Sequence, residues 1–120
     1  MSKVRLQVET ADTFFAEAFE MARRLDAGER EAKEATLAFP SLAALVKLMT
    51  PNRAKLLGAL RRGGATSIRV LAKDLSRDYR GVHSDVAALR EAGLIRLDDS
   101  DKIRTPWSRI TAEMDLDAAA

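Results

Sequence analysis

The segment RDYRGVHSDV, residues 77–86, gathers the side chains best suited to chemistry: Arg77, Asp78, Tyr79, Arg80, His83, Ser84 and Asp85. His83 and Tyr79 are the only histidine and the only tyrosine of the chain. His83, Ser84 and Asp85 are the residue types of a nucleophile–base–acid relay. The same segment also holds types that meet phosphates and base edges. Spacing decides against the relay, because successive residues on a helix point about 100° apart and cannot converge by themselves. One histidine, no cysteine and no glycine-rich phosphate loop leave no other convergent set. The expectation is therefore no enzymatic activity, no cofactor and no metal site, which would need several more ligands than one histidine. The absence of cysteine also excludes disulfides and thiolate chemistry.

The elements that would carry this segment follow from periodicity. KVRLQVE alternates Val4, Leu6 and Val8 with polar neighbours, the pattern of a half-buried strand. TADTFFAEAFEMARRLDAGE then changes to helical spacing. Its apolar stripe is Phe14, Phe15, Ala18, Ala22 and Leu25, with Thr10 or Asp12 as cap and Gly28 as stop. REAKEATLAF reads as a charged linker running into a short strand at residues 36–39. Ser41 caps the next helix, whose apolar face is Leu42, Leu45, Val46 and Met49. Thr50-Pro51 starts another, which buries Leu56, Leu57 and Leu60 and stops at Gly63-Gly64. Ser67 caps a helix with Ile68, Leu71, Ala72 and Leu75 inward. After a short turn, a last helix places Val82, Val86 and Leu89 inward and ends at Gly93. LIRL and KIRT form a hairpin around DDSD, and WSRITAEMDL adds a short extended piece before the tail DLDAAA.

The implied fold is mainly α with a small β-hairpin wing: a winged helix-turn-helix plus an N-terminal strand–helix extension. Residues 1–49 would be an N-terminal region, 50–106 the winged helix-turn-helix, and 107–120 a C-terminal extension. With 120 residues and 47% apolar content but only 5% aromatics, the chain can build one aliphatic core. MSKVRLQVET lacks a signal peptide's apolar run, and SLAALVKLM is too short to span a bilayer and contains Lys47. A soluble cytoplasmic protein without a membrane partner is expected.

Residues 67–95, SIRVLAKDLSRDYRGVHSDVAALREAGLI, resemble the helix-turn-helix of winged-helix transcription regulators of the MarR and ArsR type. The matching positions are Leu71-Ala72, Leu75, Val82, Val86, Leu89 and Gly93-Leu94-Ile95. Over nearly the whole chain, LMTPNRAKLLGALRR, RDYRGVHSDVAAL and TPW look like a group of small predicted regulators of bacteria and archaea. Members of such groups are often encoded beside a toxin and act as antitoxins. The resemblance implies a DNA-binding regulator, with an antitoxin that holds a toxin protein and binds its own promoter as the alternative.

Charge distribution points to double-stranded DNA. Residues 51–90 hold nine cationic side chains against three carboxylates, whereas the first fifty hold seven against eight. The formal net charge of +2 is thus concentrated where a phosphate backbone would lie. With the valines inward, Arg80, His83 and Ser84 point outward from the N-terminal half of the recognition helix, the half that enters the major groove. Arg80 suits guanine or a phosphate. Arg77 and Tyr79 suit backbone contacts, as do Ser67 and Arg69, although Ser67 serves equally as a plain cap. Gly81 either lets the backbone approach DNA or is a tolerated surface glycine. Asp85 opposes contact and is expected to turn toward Arg80 or Arg90. Lys102 and Arg104 on the wing would position the backbone. The carboxylates of DDSD keep the wing tip out of the minor groove or mark a protein contact. Phe14, Phe15, Phe19 and Met21 exceed what a winged helix needs, and homodimerisation on a palindromic site accounts for them best. Together these features predict a sequence-specific, dimeric transcriptional regulator, a repressor of its own operon.

Overall fold

A computed structural model describes residues 2–9, 11–28, 35–114 and 116, without the side chains of residues 11, 13 and 14. Thr10, the Phe14 side chain, linker residues 30–34 and most of the DLDAAA tail lie outside the described residues. The chain is mixed α/β rather than mainly α. Its order is β1 (Lys3–Val8), α1 (Ala11–Asp26), β2 (Ala35–Phe39), α2 (Leu42–Leu48), α3 (Pro51–Gly63), α4 (Ile68–Asp74), α5 (Tyr79–Glu91), β3 (Arg96–Leu97), β4 (Ile103–Arg104) and β5 (Arg109–Glu113). It divides into two compact units: residues 3–45 with 110–120, and residues 46–109 with the first two.

The first unit is built around β1. This strand pairs in parallel with β2, from Val4 opposite Ala35 to Val8 opposite Phe39. Parallel neighbours need a crossover, and α1 supplies it. β5 joins the other edge, giving the order β2-β1-β5. Alternation then does what it predicts: Val4 and Leu6 are fully buried, while Arg5 and Gln7 lie on the other face and reach Glu113 at 3.4 and 3.5 Å. Three segments far apart in sequence make this sheet, so the periodicity of each alone understates the β content.

The second unit is helical with an antiparallel pair of strands. Each helix start is fixed by its cap, at Thr50 and Ser67 as the sequence predicts and at Asp78 where it predicts only a turn. Thr50 accepts from the Arg53 amide, Ser67 from the Val70 amide and Asp78 from the Gly81 amide. Pro51 sits in the first turn of α3, where its missing N–H costs nothing. α3 ends at Gly64, whose φ of 77° belongs to the left-handed side that glycine adopts freely. The buried residues are aliphatic: Leu56, Leu57 and Leu60 of α3, Leu71 and Ala72 of α4, Val82, Val86 and Leu89 of α5, then Leu94, Ile95 and Ile103. Arg96 pairs with Arg104 and Leu97 with Ile103 across β3 and β4, and Thr66 bridges to Ile103 on the far side of β4. The Trp107 indole donates to the Gly93 carbonyl at 3.1 Å, fastening the chain after β4 to the end of α5.

One polar node ties α3 to α5. Arg53 donates through Nε to Asp85 Oδ1 at 3.0 Å, and through Nη1 to the Leu48 carbonyl at 3.0 Å, at the end of α2. Arg77 brings Nη1 to 2.9 Å from Asp85 Oδ2. Both of these atoms are sealed from solvent, and their alignment departs from a hydrogen bond, so this second contact is a coulombic pair. The Asp85 side chain is only 14% exposed. Asp85 therefore pairs with Arg53 and Arg77, not with Arg80 or Arg90. The reason is geometric: residues five apart on a helix lie about 140° away from each other around the axis, so neither arginine shares Asp85's face.

Removing one member of a shielded ion pair strands the others. Asp85→Ala should lower stability by roughly 2–4 kcal/mol, because two guanidinium groups lose their counter-charge while these side chains keep some solvent access. Urea denaturation measures it. A loss below about 0.5 kcal/mol, the range of ordinary surface changes, would mean the node contributes nothing.

Candidate nucleic-acid interface

The turn from α4 to α5 is tight. Leu75 keeps helical angles, Ser76 takes a φ of 53°, and the Arg77 amide donates back to the Ala72 carbonyl at 3.0 Å. The chain thus leaves α4 and re-enters a helix within a few residues, and Asp78 caps the new helix by accepting from Gly81 at 2.9 Å. Val82, Val86 and Leu89 then face inward, as their spacing predicts. Tyr79, Arg80, His83, Ser84 and Arg90 are exposed.

Three candidate residues come into contact. The Arg69 guanidinium of α4 stands 5.2 Å from the centre of the Tyr79 ring. Within that range a guanidinium is attracted to the ring face. The Tyr79 and His83 rings are 5.8 Å apart and tilted by 41°. Arg69, Tyr79 and His83 form a continuous cation–aromatic–imidazole strip across the two helices. Arg80 is three residues before His83 and four before Ser84, the spacings that neighbour each other on a helix surface. The exposed N-terminal half of α5 therefore carries a cation, an imidazole and two hydroxyls.

The acids of this stretch are all occupied or turned aside. The Asp78 carboxylate accepts an amide of its own helix. Asp85 lies between Arg53 and Arg77. Asp78 stays exposed at the start of the helix, beside the outward Tyr79, Arg80, His83 and Ser84, and Arg69 and Arg80 together outnumber its single charge.

Other candidates are placed differently. Ser67 accepts from the Val70 amide at 3.2 Å and serves as a cap, leaving its hydroxyl hydrogen to donate. Arg77 is folded back: Nη1 is buried against Asp85, and Nη2 lies 3.3 Å from where a Cβ on Gly81 would stand. That Cβ would also meet Asp78 Oδ1 at 3.1 Å, so Gly81 is the residue that leaves room for the Arg77 guanidinium and the cap together. Lys102 and Arg104 are exposed on the hairpin. Arg104 faces Arg96 across the strands, and Arg96 is drawn over the Trp107 ring at 5.4 Å. The hairpin tip keeps its three carboxylates, one of them fixed to the turn. Asp98 folds back to accept from the Ser100 and Lys102 amides, both at 2.9 Å, which leaves Asp99 and Asp101 exposed.

Arg53 is the residue that sequence reasoning missed. Its type suggested one more phosphate-binding cation, whereas it holds the inner side of α5. The available signal was Asp85 itself, a carboxylate one residue from the inward Val86 that needed a partner. Among the described residues there is no group of three or more His, Cys, Asp or Glu placed to hold a metal, and no helix long and apolar enough to cross a membrane.

No curated protein and no solved structure matches the chain significantly. A family model described as HVO_A0114 matches residues 48–112. That span contains α3, α4, α5, the β3–β4 hairpin, the Arg53–Asp85–Arg77 node and all nine candidate contact residues. With more than half of its length inside the match, the chain belongs to the HVO_A0114 family.

Proposed function

We propose that this protein is a dimeric, sequence-specific DNA-binding regulator whose residues 50–106 act as a winged helix-turn-helix. The observation that carries the reading is the sorting of charge on α5. In its N-terminal half Asp85 is turned to the inner node and Asp78 serves as the cap, while Arg80, His83, Ser84 and the Arg69–Tyr79 pair stay outward. A helix that presents its N-terminal half in this way, after a tight turn and before an antiparallel hairpin, has the form that reads a major groove. Arg80 is the side chain best suited to a base edge, with His83 and Ser84 as shorter partners. Tyr79, Arg69, Lys102 and Arg104 fit phosphates and fix register. Ser67 adds a hydroxyl at the start of α4. Arg77 acts from behind, as a residue that positions α5. A repressor acting on its own operon is the simplest regulatory role for a protein of this size with no catalytic constellation.

Two measurements test the reading. Fluorescence anisotropy on a labelled duplex should give a log–log salt slope of roughly −3 per protomer, from the three cations Arg69, Lys102 and Arg104 at phosphates. A flat salt response would end the assignment. Genomic selection of bound fragments should yield a palindromic site. On that site Arg80→Ala should weaken binding by roughly 1–3 kcal/mol, with a smaller effect on random duplexes. Equal losses on both would make Arg80 a phosphate contact.

A further inference from the structure

The sheet β2-β1-β5 ends on β5, and among the described residues no strand lies on its outer side. Ser2 stands beside the start of β5 and Gln7 beside Glu113, so β5 runs the same way as β1. The Arg109 amide donates to the Ser2 carbonyl at 3.4 Å, a carbonyl it shares with Ser108 just before the strand begins. The direction of backbone groups alternates along a strand, so Arg109, Thr111 and Glu113 turn theirs toward β1. Ile110 and Ala112 turn amide and carbonyl away from it. Such an edge is a template for another strand.

The sequence of β5 also specifies which strand. It reads RITAE, with opposite charges at equal distance on either side of Thr111. Charged edge residues turn most strands away. A second β5 laid antiparallel about Thr111 instead meets each charge with its opposite: Arg109 faces Glu113 of the second copy, and Glu113 faces its Arg109. The same register sets Ile110 opposite Ala112 of the copy. These are the positions whose backbone groups point outward, so each such pair exchanges its amide and carbonyl bonds. Thr111 falls on the two-fold axis in a pair without backbone bonds, where side chains stand closest, and threonine pairs are favourable across strands. Charge and backbone direction thus select the same register independently, and every contact occurs twice, as an isologous dimer requires.

Glu113 has room for a second arginine. Its contacts with Arg5 Nε at 3.4 Å and Gln7 Nε2 at 3.5 Å both use Oε2, and its side chain is 59% exposed. Oε1 is left for Arg109, which is exposed and has no carboxylate partner among the described residues. One carboxylate then stands between two arginines, as Asp85 does. β2, the other edge, contains no charged residue and offers no such match.

We infer that the outer edge of β5 is the seam of a two-fold dimer, in which β5 pairs antiparallel with its copy about Thr111 and joins the two sheets into one. The inference rests on the dimeric regulator proposed above for its purpose, but its geometry needs no DNA.

Sedimentation equilibrium on the full chain tests it. The parent should show a monomer–dimer equilibrium, and Ala112→Pro should weaken the dimer roughly tenfold or more, because an outward donor is lost twice. Proline at an edge position spares the bonds to β1, so the circular dichroism should stay that of the parent. Arg109→Glu and Glu113→Arg should each dissociate the dimer, since like charges then face each other. Mixing the two variants restores both pairs and should restore the dimer. Because the chain has no cysteine, the axis can be read directly. Thr111→Cys should link to its copy on oxidation, at the short Cα separation a disulfide needs, faster than Thr36→Cys at an exposed residue of β2. A monomeric parent, an Ala112→Pro protein that folds and dimerises as the parent does, a charge mixture no stronger than either variant alone, or equal linking at Thr36→Cys would each overturn the inference. Should Ala112→Pro lose its fold, the charge mixture and the disulfide decide. A dimer that passes these tests but shows no salt-dependent DNA binding would instead remove the regulator reading and leave the seam standing.

Discussion

Asp85 stands between the guanidinium groups of Arg53 and Arg77, at 3.0 and 2.9 Å, and most of the geometry of the outward face of α5 depends on it. Arg53 ties the start of α3 to the end of α2 through the Leu48 carbonyl, and Asp85 hands that anchor to the middle of α5. Arg77 comes from the turn that precedes α5, so the same carboxylate fixes how the helix begins. A shielded carboxylate with one cation would be neutral. With two it keeps a surplus of positive charge, and this explains how a helix can contain an acid and still present an attractive face to an anion. Such pairs add little net stability over a well-packed apolar substitute. Their value here is directional, because they hold α5 at one rotation about its axis. That rotation decides that Val82, Val86 and Leu89 face inward while Arg80, His83 and Ser84 do not.

Local and global choices agree through most of this unit. Thr50, Ser67 and Asp78 each accept the amide three residues on, which is why α3, α4 and α5 start where they do. The short turn before α5 requires Ser76 at positive φ, and the amide of Arg77 bonds back to α4 to hold it there. Beyond α5, Gly93 takes a φ of 91° and lends its carbonyl to the Trp107 indole. The hairpin thereby hangs from the end of the helix. Its own cations sit opposite one another, Arg96 facing Arg104, an arrangement that like charges disfavour. The Trp107 ring under Arg96 offsets that repulsion and leaves Arg104 free to face solvent.

What could be read in the sequence is what depends on neighbours along the chain. Helix starts and stops, the inward leucines and valines of α3 and α5, and the hairpin around DDSD are set by residues within a turn or two of each other, and they stand where periodicity puts them; in α2 the spacing holds only for Leu45, since Val46, on the same expected face, is 60% exposed. What could not be read depends on residues far apart. The β1–β2–β5 sheet draws on both ends of the chain, so β5 looked like an extended piece and the fold looked more helical than it is. Asp85 was assigned to arginines of its own helix, when its partners are thirty-two residues away on α3 and in the turn at Arg77. A charged residue on a helix says that a partner exists; it does not say on which element. Arg53 and Arg77 show the same limit from the other side. By type they are phosphate-binding cations, and only packing reveals that they face the protein.

Gly81 joins these two levels. In the interior of a helix, glycine costs about 1 kcal/mol relative to alanine. Residue 81 is in the first turn of α5, where the Asp78 carboxylate must reach the Gly81 amide and the Arg77 guanidinium must pass over toward Asp85. A methyl group there would stand 3.1 Å from Asp78 Oδ1 and 3.3 Å from Arg77 Nη2, closer than most side-chain carbons ever approach. Neither neighbour can yield freely: the carboxylate is held by its cap hydrogen bond at 2.9 Å and the guanidinium by the buried pair. Gly81 is therefore accounted for without any approach of DNA. The cost of the glycine is offset by a cap and an ion pair that share one small space, and through them the outward face of α5 is set.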